Sequence, residues 1–356
     1  MDHILQQFKQ RIAEAAVAKT PLRIRGGGSK DWYGQSLEGE ILDTREYRGI
    51  VAYDPTELVI TARCGTPLAE IEAALAERHQ MLAFEPPRYG ADSTIGGVVA
   101  AGLSGPRRQS AGAVRDFVLG TRLMDGKGEV LRFGGRVMKN VAGYDVSRML
   151  AGSLGILGLV LDVSLKVLPK PFFEMTLRFA GIGKTDAIER LNRWGGEALP
   201  ISASAWHGRV LIVRLSGTQA AVDTAARKLG GESMGDAVLL WDGLRDQANG
   251  FFADMSGGTN LWRLSLPSTT PSLRIPGEQL IEWGGAQRWL RTDADAGTLR
   301  RAAQQVGGHA TLFRGADKSA GVFEPLAPPL AAIHGHLKNA FDPAGIFNRG
   351  RMYREF

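Results

Sequence analysis

Between positions 92 and 116 the chain reads DSTIGGVVAAGLSGPRRQSAGAVRD, so three glycine clusters fall within 25 residues. A glycine inside a helix or strand costs about 0.5–1 kcal/mol relative to alanine, so such a run is poorly suited to long regular elements. It suits close approach of backbone to a ligand and turns at positive φ. A second segment of this kind, GGGSK at 26–30, follows the β-like run PLRIR and can form a nest of amide donors for a pyrophosphate. The spacing G-x-x-x-x-G-K-[ST] is absent, as is G-x-G-x-x-G followed by an acidic residue, and GSLGILG at 152–158 has the wrong interval for the latter. P-loop and dinucleotide-fold readings therefore fail. Glycine loops from separate strands can still supply what a dinucleotide needs: donors for its phosphates, a flat slot and backbone groups at the ring edges.

The surrounding text has a clear order. At 356 residues two domains are expected. The start places Ile4, Leu5, Phe8 and Ile12 on one helical face. Short β-like runs follow (PLRIR, EILDT, GIVAYD, LVITARC), then a helix from TPLAEIEAALAERHQ with Thr66 as its N-cap, and MLAFEP as a strand. VLGTRLMDGKGEVLRF is a β-hairpin, and NVAGYDVSRMLAGSLGILGLVLDVSLKVLPKP reads as a helix, a glycine-dense turn and a long strand. Pro169 and Pro171 mark a boundary. Beyond them comes a β-α-β-β-α unit as in ferredoxin-like folds, and a weaker second pass with a short helix near 271–273. The expected fold class is α+β: domain 1–171, an antiparallel cap over 172–325 with helices on one face, and a segment 326–356 returning to the first domain. Trp241 and Trp262 are read as cap core in preference to a partner surface.

Composition excludes some classes. Lys and Arg number 43 against 37 Asp and Glu, a net charge of +6 without a dense basic block, which argues against a nucleic-acid binder. The single cysteine, Cys64, rules out an internal disulfide framework and a cysteine-held cluster, and fits a reducing cytoplasmic setting. The start lacks the pattern of a signal peptide, and no apolar stretch is long enough to span a bilayer, so contact with the inner membrane face is expected only through partners.

The motifs RGGGSK, DSTIGGVVAAGLSG, GAVRDFVLGTRLMDGKGEVL, KNVAGYDVSRMLAGSLGILG and FDPAGIFNRGRMY resemble the vanillyl-alcohol oxidase, or PCMH-type, FAD-binding family. Within it, the order of motifs and the cap size are similar to the smaller flavin subunits of bacterial glycolate-oxidising complexes. The resemblance implies a two-subdomain FAD-binding unit whose Gly26, Gly27, Gly28, Ser29 and Lys30 hold the diphosphate. It also implies a second phosphate loop of Ser93, Thr94, Ile95, Gly96 and Gly97, with Gly102, Ser104 and Gly105 beside the isoalloxazine. Gly112, Val114 and Arg115 would continue along the flavin, Leu159 and Val160 would offer backbone groups to the adenine, and Asn348 would reach the ring. Ser29 stands where many relatives attach FAD through histidine, so the cofactor is expected to be non-covalent.

The chemistry is less legible. Oxidising a 2-hydroxy acid requires a base near the hydroxyl, a cation for the carboxylate and a flavin acceptor. Arg107, Arg108, Arg314 and Lys318 are the candidate cations, Tyr89 and Tyr144 polar groups beside a flavin, and no base is identifiable. The His-x-His metal motif of the larger catalytic subunits is missing: His207 stands alone, and His334 and His336 fall on different faces of a helix. No metal is expected. The favoured reading is an FAD subunit oxidising glycolate to glyoxylate and passing electrons to a larger FAD subunit and an iron–sulfur subunit. The alternative is a non-catalytic flavin-fold subunit supporting a paralogous catalytic one. A stand-alone NADPH-dependent reductase would need a serine and glutamate that cannot be placed.

Overall fold

In the computed structural model, which describes residues 1–135, 145–253 and 259–356, the first apolar face forms helix α1 (Asp2–Ala18) with Ile4, Phe8, Ile12 and Ala15 buried. It packs on Leu22, Leu42, Tyr47 and Phe347. Strand β1 (Leu22–Arg25) runs parallel to β2 (Glu40–Asp43). After β3 (Ile50–Asp54) and β4 (Val59–Arg63), helix α2 (Leu68–Ala76) buries Leu68, Ile71 and Leu75 as its spacing requires. Thr66 does not cap it. Pro67 holds that position, while the Thr66 hydroxyl accepts from Gly49 N (2.9 Å) and donates to Arg63 O (2.7 Å). The strand expected over MLAFEP shrinks to β5 (Gln80–Met81), because Leu82, Ala83 and Phe84 turn into the core, with Glu85 N donating to Leu82 O.

The glycine-rich stretch holds three short helices, α3 (Ile95–Ala101), α4 (Arg108–Ala111) and α5 (Val114–Phe117), rather than loop alone. Strands β6 (Val118–Met124) and β7 (Val130–Gly134) make the hairpin, whose turn is fixed by Asp125 accepting from Lys127 N and Glu129 N. Of the helix read before the next strand, 140–144, including Tyr144, lie outside the described residues, and α6 (Val146–Met149) follows. Strand β8 (Leu159–Lys166) sits at the centre of a sheet ordered β3-β4-β8-β6-β7, and β9 (Leu168–Pro169) pairs with β5.

The cap begins with β10 (Phe173–Ala180), α7 (Lys184–Gly195), β11 (Ile201–His207), β12 (Val210–Gly217) and α8 (Gln219–Leu229), the β-α-β-β-α order of the sequence. It continues through β13 (Glu232–Met234), α9 (Val238–Arg245), α10 (Gly250–Ala253), β14 (Asn260–Ser265), β15 (Glu278–Glu282), β16 (Gln287–Thr292), α11 (Ala296–Gln304) and β17 (His309–Arg314). The two passes fuse through β11 and β15 into one antiparallel sheet of eight strands, ordered β13-β10-β12-β11-β15-β16-β14-β17. Helices α7, α8 and α11 cover one face over clusters containing Leu211, Ile188, Trp262 and Leu299. Period-two alternation turns Ala205, Leu280, Trp289 and Phe313 to the other face, against Tyr33 and Leu103 of the first domain. Helices α9 and α10, unread in the sequence, bury Trp241, Leu244, Phe251 and Phe252 on that same face, so the cap is not covered on one side only. No helix forms near 271–273: the buried Arg288 guanidinium takes the carbonyls of Thr270 and Pro271 instead.

Two polar knots fix the remaining geometry. Arg214 Nη2 and Arg107 Nε of one knot meet Glu85 Oε1 at 2.7 and 3.3 Å, and Arg107 also reaches Glu174, so cap and first domain share a buried ionic contact. After α12 (Pro328–Phe341) the chain returns, with Phe347 bridging Leu22. There Lys338 Nζ donates to Ile156 O, Asp342 Oδ2 and Phe347 O at 2.7–2.9 Å, and Asp342 accepts from Ile346 N and Phe347 N. Removing one partner of a buried pair leaves the other charge uncompensated, at about 3–5 kcal/mol. Asp342→Ala is accordingly expected to lower unfolding free energy by about that amount in urea titration, far more than Asp317→Ala on the exposed surface.

Candidate functional site

The loop after β1, the start of α3 and the segment 154–160 enclose an elongated cleft of ≈ 710 Å³, including its open mouth. Its walls meet backbone to backbone. A Cβ at Gly27 would overlap the Asp92 carbonyl, and one at Gly26 would overlap the Thr94 hydroxyl, so both positions require glycine. Gly28 has φ +73°, where L side chains are strained. Among the described residues the N–H groups of Gly27, Gly28, Ser29 and Lys30 donate to no protein acceptor. Four successive free donors on one turn make an anion nest.

Cations surround that nest. Lys30 is buried, its ammonium held by Ser93 Oγ (2.9 Å) and Ser29 Oγ (3.3 Å), and burial lowers its pKa to about 8 against the opposing pull of Asp246. Arg351 lines the cleft and donates to Lys30 O (3.0 Å) and Tyr33 O (3.3 Å), while its Nε is buried without a partner. Burial lowers Arg351 to about 10, partly offset by Asp31. Asp31 itself is held by Arg23 and Arg25. Cys64 also lines the cleft, with its thiol pushed up to about 12 by burial, which makes it an inert wall.

The residues expected to hold the cofactor divide by position. Gly26, Gly27, Gly28, Ser29, Lys30, Thr94, Gly96, Gly97, Leu159, Val160 and Asn348 line the cleft. Ser93 lies behind it as the partner of Lys30, and Ile95 is core. Asn348, expected to reach the ring, is committed to backbone: Oδ1 accepts from Ile24 N (2.8 Å) and Nδ2 donates to Leu154 O (2.6 Å). Gly102, Val114 and Arg115 line a wider cavity under the cap, beside Arg108. Ser104 and Gly105 line a smaller one, with Ser104 Oγ accepting from Val114 N. Gly112, at φ +101°, closes α4 and borders none of these spaces; the Asp116 carboxylate anchors the next turn on Ala113 N.

The expected cations fare unequally. Lys318 donates to Trp32 O (2.8 Å) and Gly34 O (2.6 Å), so it pins a loop. Arg314 is held by Gln247 and stacks on Trp32, and Arg107 belongs to the interdomain knot. Arg108 lies over Trp283, 4.2 Å from the ring centre, at the wider cavity. Tyr89 is half-buried, and desolvation of its phenol pushes its pKa up. Sequence reasoning missed Arg351, for which RGRMY offered a signal only in retrospect, and Arg263, which points from β14 toward the first domain. His207 contacts Glu278, and His334 packs on Tyr353 and Phe356.

The sequence matches the FAD binding domain family over residues 5–134. It is 50% identical over 352 residues to the glycolate oxidase subunit GlcE of Escherichia coli, covering 99% of this chain and 97% of that protein. It is 30% identical over 161 residues to the glycolate oxidase subunit GlcD of Bacillus subtilis, covering 45% of this chain and 34% of the other. The fold is similar to solved alkyldihydroxyacetonephosphate synthase, with a TM-score of 0.64 at 13% identity over 96% of this chain and 74% of that one. Free amides, an orphaned arginine nitrogen and glycines that admit no side chain fit an FAD diphosphate. Gly27→Ala is expected to weaken FAD retention at least about tenfold, or ~1.4 kcal/mol, in equilibrium dialysis with the far-ultraviolet spectrum unchanged.

Proposed function

Because the chain belongs to the PCMH-type FAD-binding family, in the branch of the glycolate oxidase subunit GlcE, we propose that it carries non-covalent FAD and oxidises glycolate or a similar 2-hydroxy acid to the 2-oxo acid within a multi-subunit complex. The observation that carries this reading is the line of cavities leading from the amide nest to an arginine-lined space under the cap. The amides of Gly27, Gly28, Ser29 and Lys30, with Arg351 beside them, would hold the diphosphate, and Leu159 and Val160 would border the adenine. Bound FAD supplies a two-electron acceptor. The chain's task is to keep that site dry and to hold a small anionic substrate, for which the cap supplies cations on a preorganised sheet.

The two electrons taken from the substrate must be handed on. With one cysteine, Cys64, this chain has no ligand set for an iron–sulfur cluster. A larger FAD subunit and an iron–sulfur subunit are the partners proposed here. No helix among the described residues is long and apolar enough to cross a membrane, so association with the inner membrane face would run through those partners.

The test is the absorption spectrum of the purified chain with FAD, before and after anaerobic glycolate, with acid precipitation to release flavin. The expected result is released flavin and bleaching of its visible band by glycolate. Bound flavin that glycolate leaves oxidised would favour a non-catalytic supporting subunit, and failure to retain FAD would contradict the reading altogether.

A further inference from the structure

The spaces under the cap converge on one residue. Arg263 lines the wide cavity with Arg108, a middle cavity with Ala101, Leu103 and Tyr33, and a small cavity with Glu282. Ala101 also lines the cofactor cleft, and Leu103 is shared by the middle and small cavities, so neighbouring spaces share walls from the amide nest to Glu282. Among the described residues Arg263 has no carboxylate at ion-pair distance: it touches the Tyr33 hydroxyl at 3.3 Å, lies over the Phe313 ring, and has a buried Nε without a partner. An unpaired guanidinium on a rigid strand suits a carboxylate, which it can grip through both oxygens.

Glu282 is its counterpart. The residue is 3% exposed at the end of β15, and Oε2 accepts from Trp289 Nε1 (2.6 Å) and Gln287 Nε2 (3.1 Å). Among the described residues Oε1 has no protein partner, and Glu282 lines the small cavity. Nothing fixes this carboxyl as a structural ion pair. Around it stand Glu85, which is paired with Arg107 and Arg214, then Arg245 of α9, which is paired with Asp242 and Asp246, then Tyr89 and Arg263.

We infer that Glu282 is the proton acceptor for the hydroxyl of a small 2-hydroxy monocarboxylate whose carboxylate is held by Arg263, an assignment that rests on the function proposed above. The substrate's O–H proton passes to Glu282 Oε1 as its oxygen forms the second bond to C2, and the C2 hydrogen leaves with its electron pair for the oxidised flavin, the two-electron oxidant. Glu282 ends protonated and the product is the 2-oxo acid. Burial, reinforced by Glu85, raises the Glu282 carboxyl to about 7, which matches a base working near neutral pH.

Two readouts test this. In FAD-loaded chain mixed anaerobically with glycolate, bleaching is expected to accelerate about tenfold per pH unit below 7 and level off above it. Glu282→Gln is expected to slow bleaching by about 10²–10⁴-fold and abolish that limb, leaving FAD content and the spectral shift induced by oxalate unchanged. Arg263→Gln is expected to weaken the oxalate shift instead. In the apo chain, a carboxyl raised on folding gives stability that falls as pH climbs from the unfolded value, 4.5, to about 7. The Tm advantage of Glu282→Gln over the parent should therefore widen through that window and stay constant above it, which checks the raised carboxyl independently of turnover. If the variant misfolds, Glu282→Asp takes its place, with bleaching slowed and the pH limb displaced. A parent chain that bleaches while Glu282→Gln bleaches equally overturns the assignment and leaves the function standing. A parent chain that holds FAD yet never bleaches overturns both.

Discussion

The contact between the loop at 26–28 and the loop at 92–94 sets everything built around it. Gly26 and Gly27 lie so close to Thr94 and Asp92 that no side chain fits between them. On that turn the amides of 27–30 have no acceptor among the described residues. These amides line an open cleft, so an anion that enters it meets donors already oriented by the turn. Ligand binding and stability are thereby linked: whatever binds the native nest and not the unfolded chain stabilises the protein in proportion to its affinity. Lys30 and Arg351 add charge where the amides add direction.

The second domain acts through that first contact. Glu85, in the turn that follows β5, is gripped by Arg107 from the glycine-rich stretch and Arg214 from the cap sheet. The ionic knot is buried, so it offers register more than net stability: the pair's attraction roughly offsets the cost of desolvation. It ties β10 and β12 of the cap to the start of α4. The cavities that meet at Arg263 are the space left between the two domains. Arg263 and Glu282 thus owe their place to strand alternation on β14 and β15, while their isolation from counter-charges owes to the apolar surroundings of Trp289, Phe313 and Leu103.

Periodicity made the regular elements legible: the buried faces of α1, α2, α7 and α8 follow their apolar spacing, and the hairpin at 118–134 follows its turn residues. The failures have physical causes. Thr66 lost its cap because Gly49 and Arg63 claimed the hydroxyl, and MLAFEP lost its strand because its apolar residues were needed in the core. Helices α9 and α10 are short and pack on the inner face through Trp241 and Phe252, a tertiary contact no local pattern announces. At the site, glycines were readable since their role is backbone geometry. Arg263 and Glu282 were not, because alternating strand residues carry no sign of which face meets another domain. Lys318 and Arg314 drew attention by type and proved to be fasteners.

The central claim is that the amide nest of 27–30 receives the diphosphate of FAD. Amide hydrogen exchange of the chain without and with saturating FAD tests it most directly, since those N–H groups have no acceptor among the described residues. The account predicts that FAD slows exchange most strongly in peptides spanning 26–31 and 92–97, with a smaller effect around 154–160. Unchanged exchange at 26–31, with protection appearing only in the cap, would contradict it.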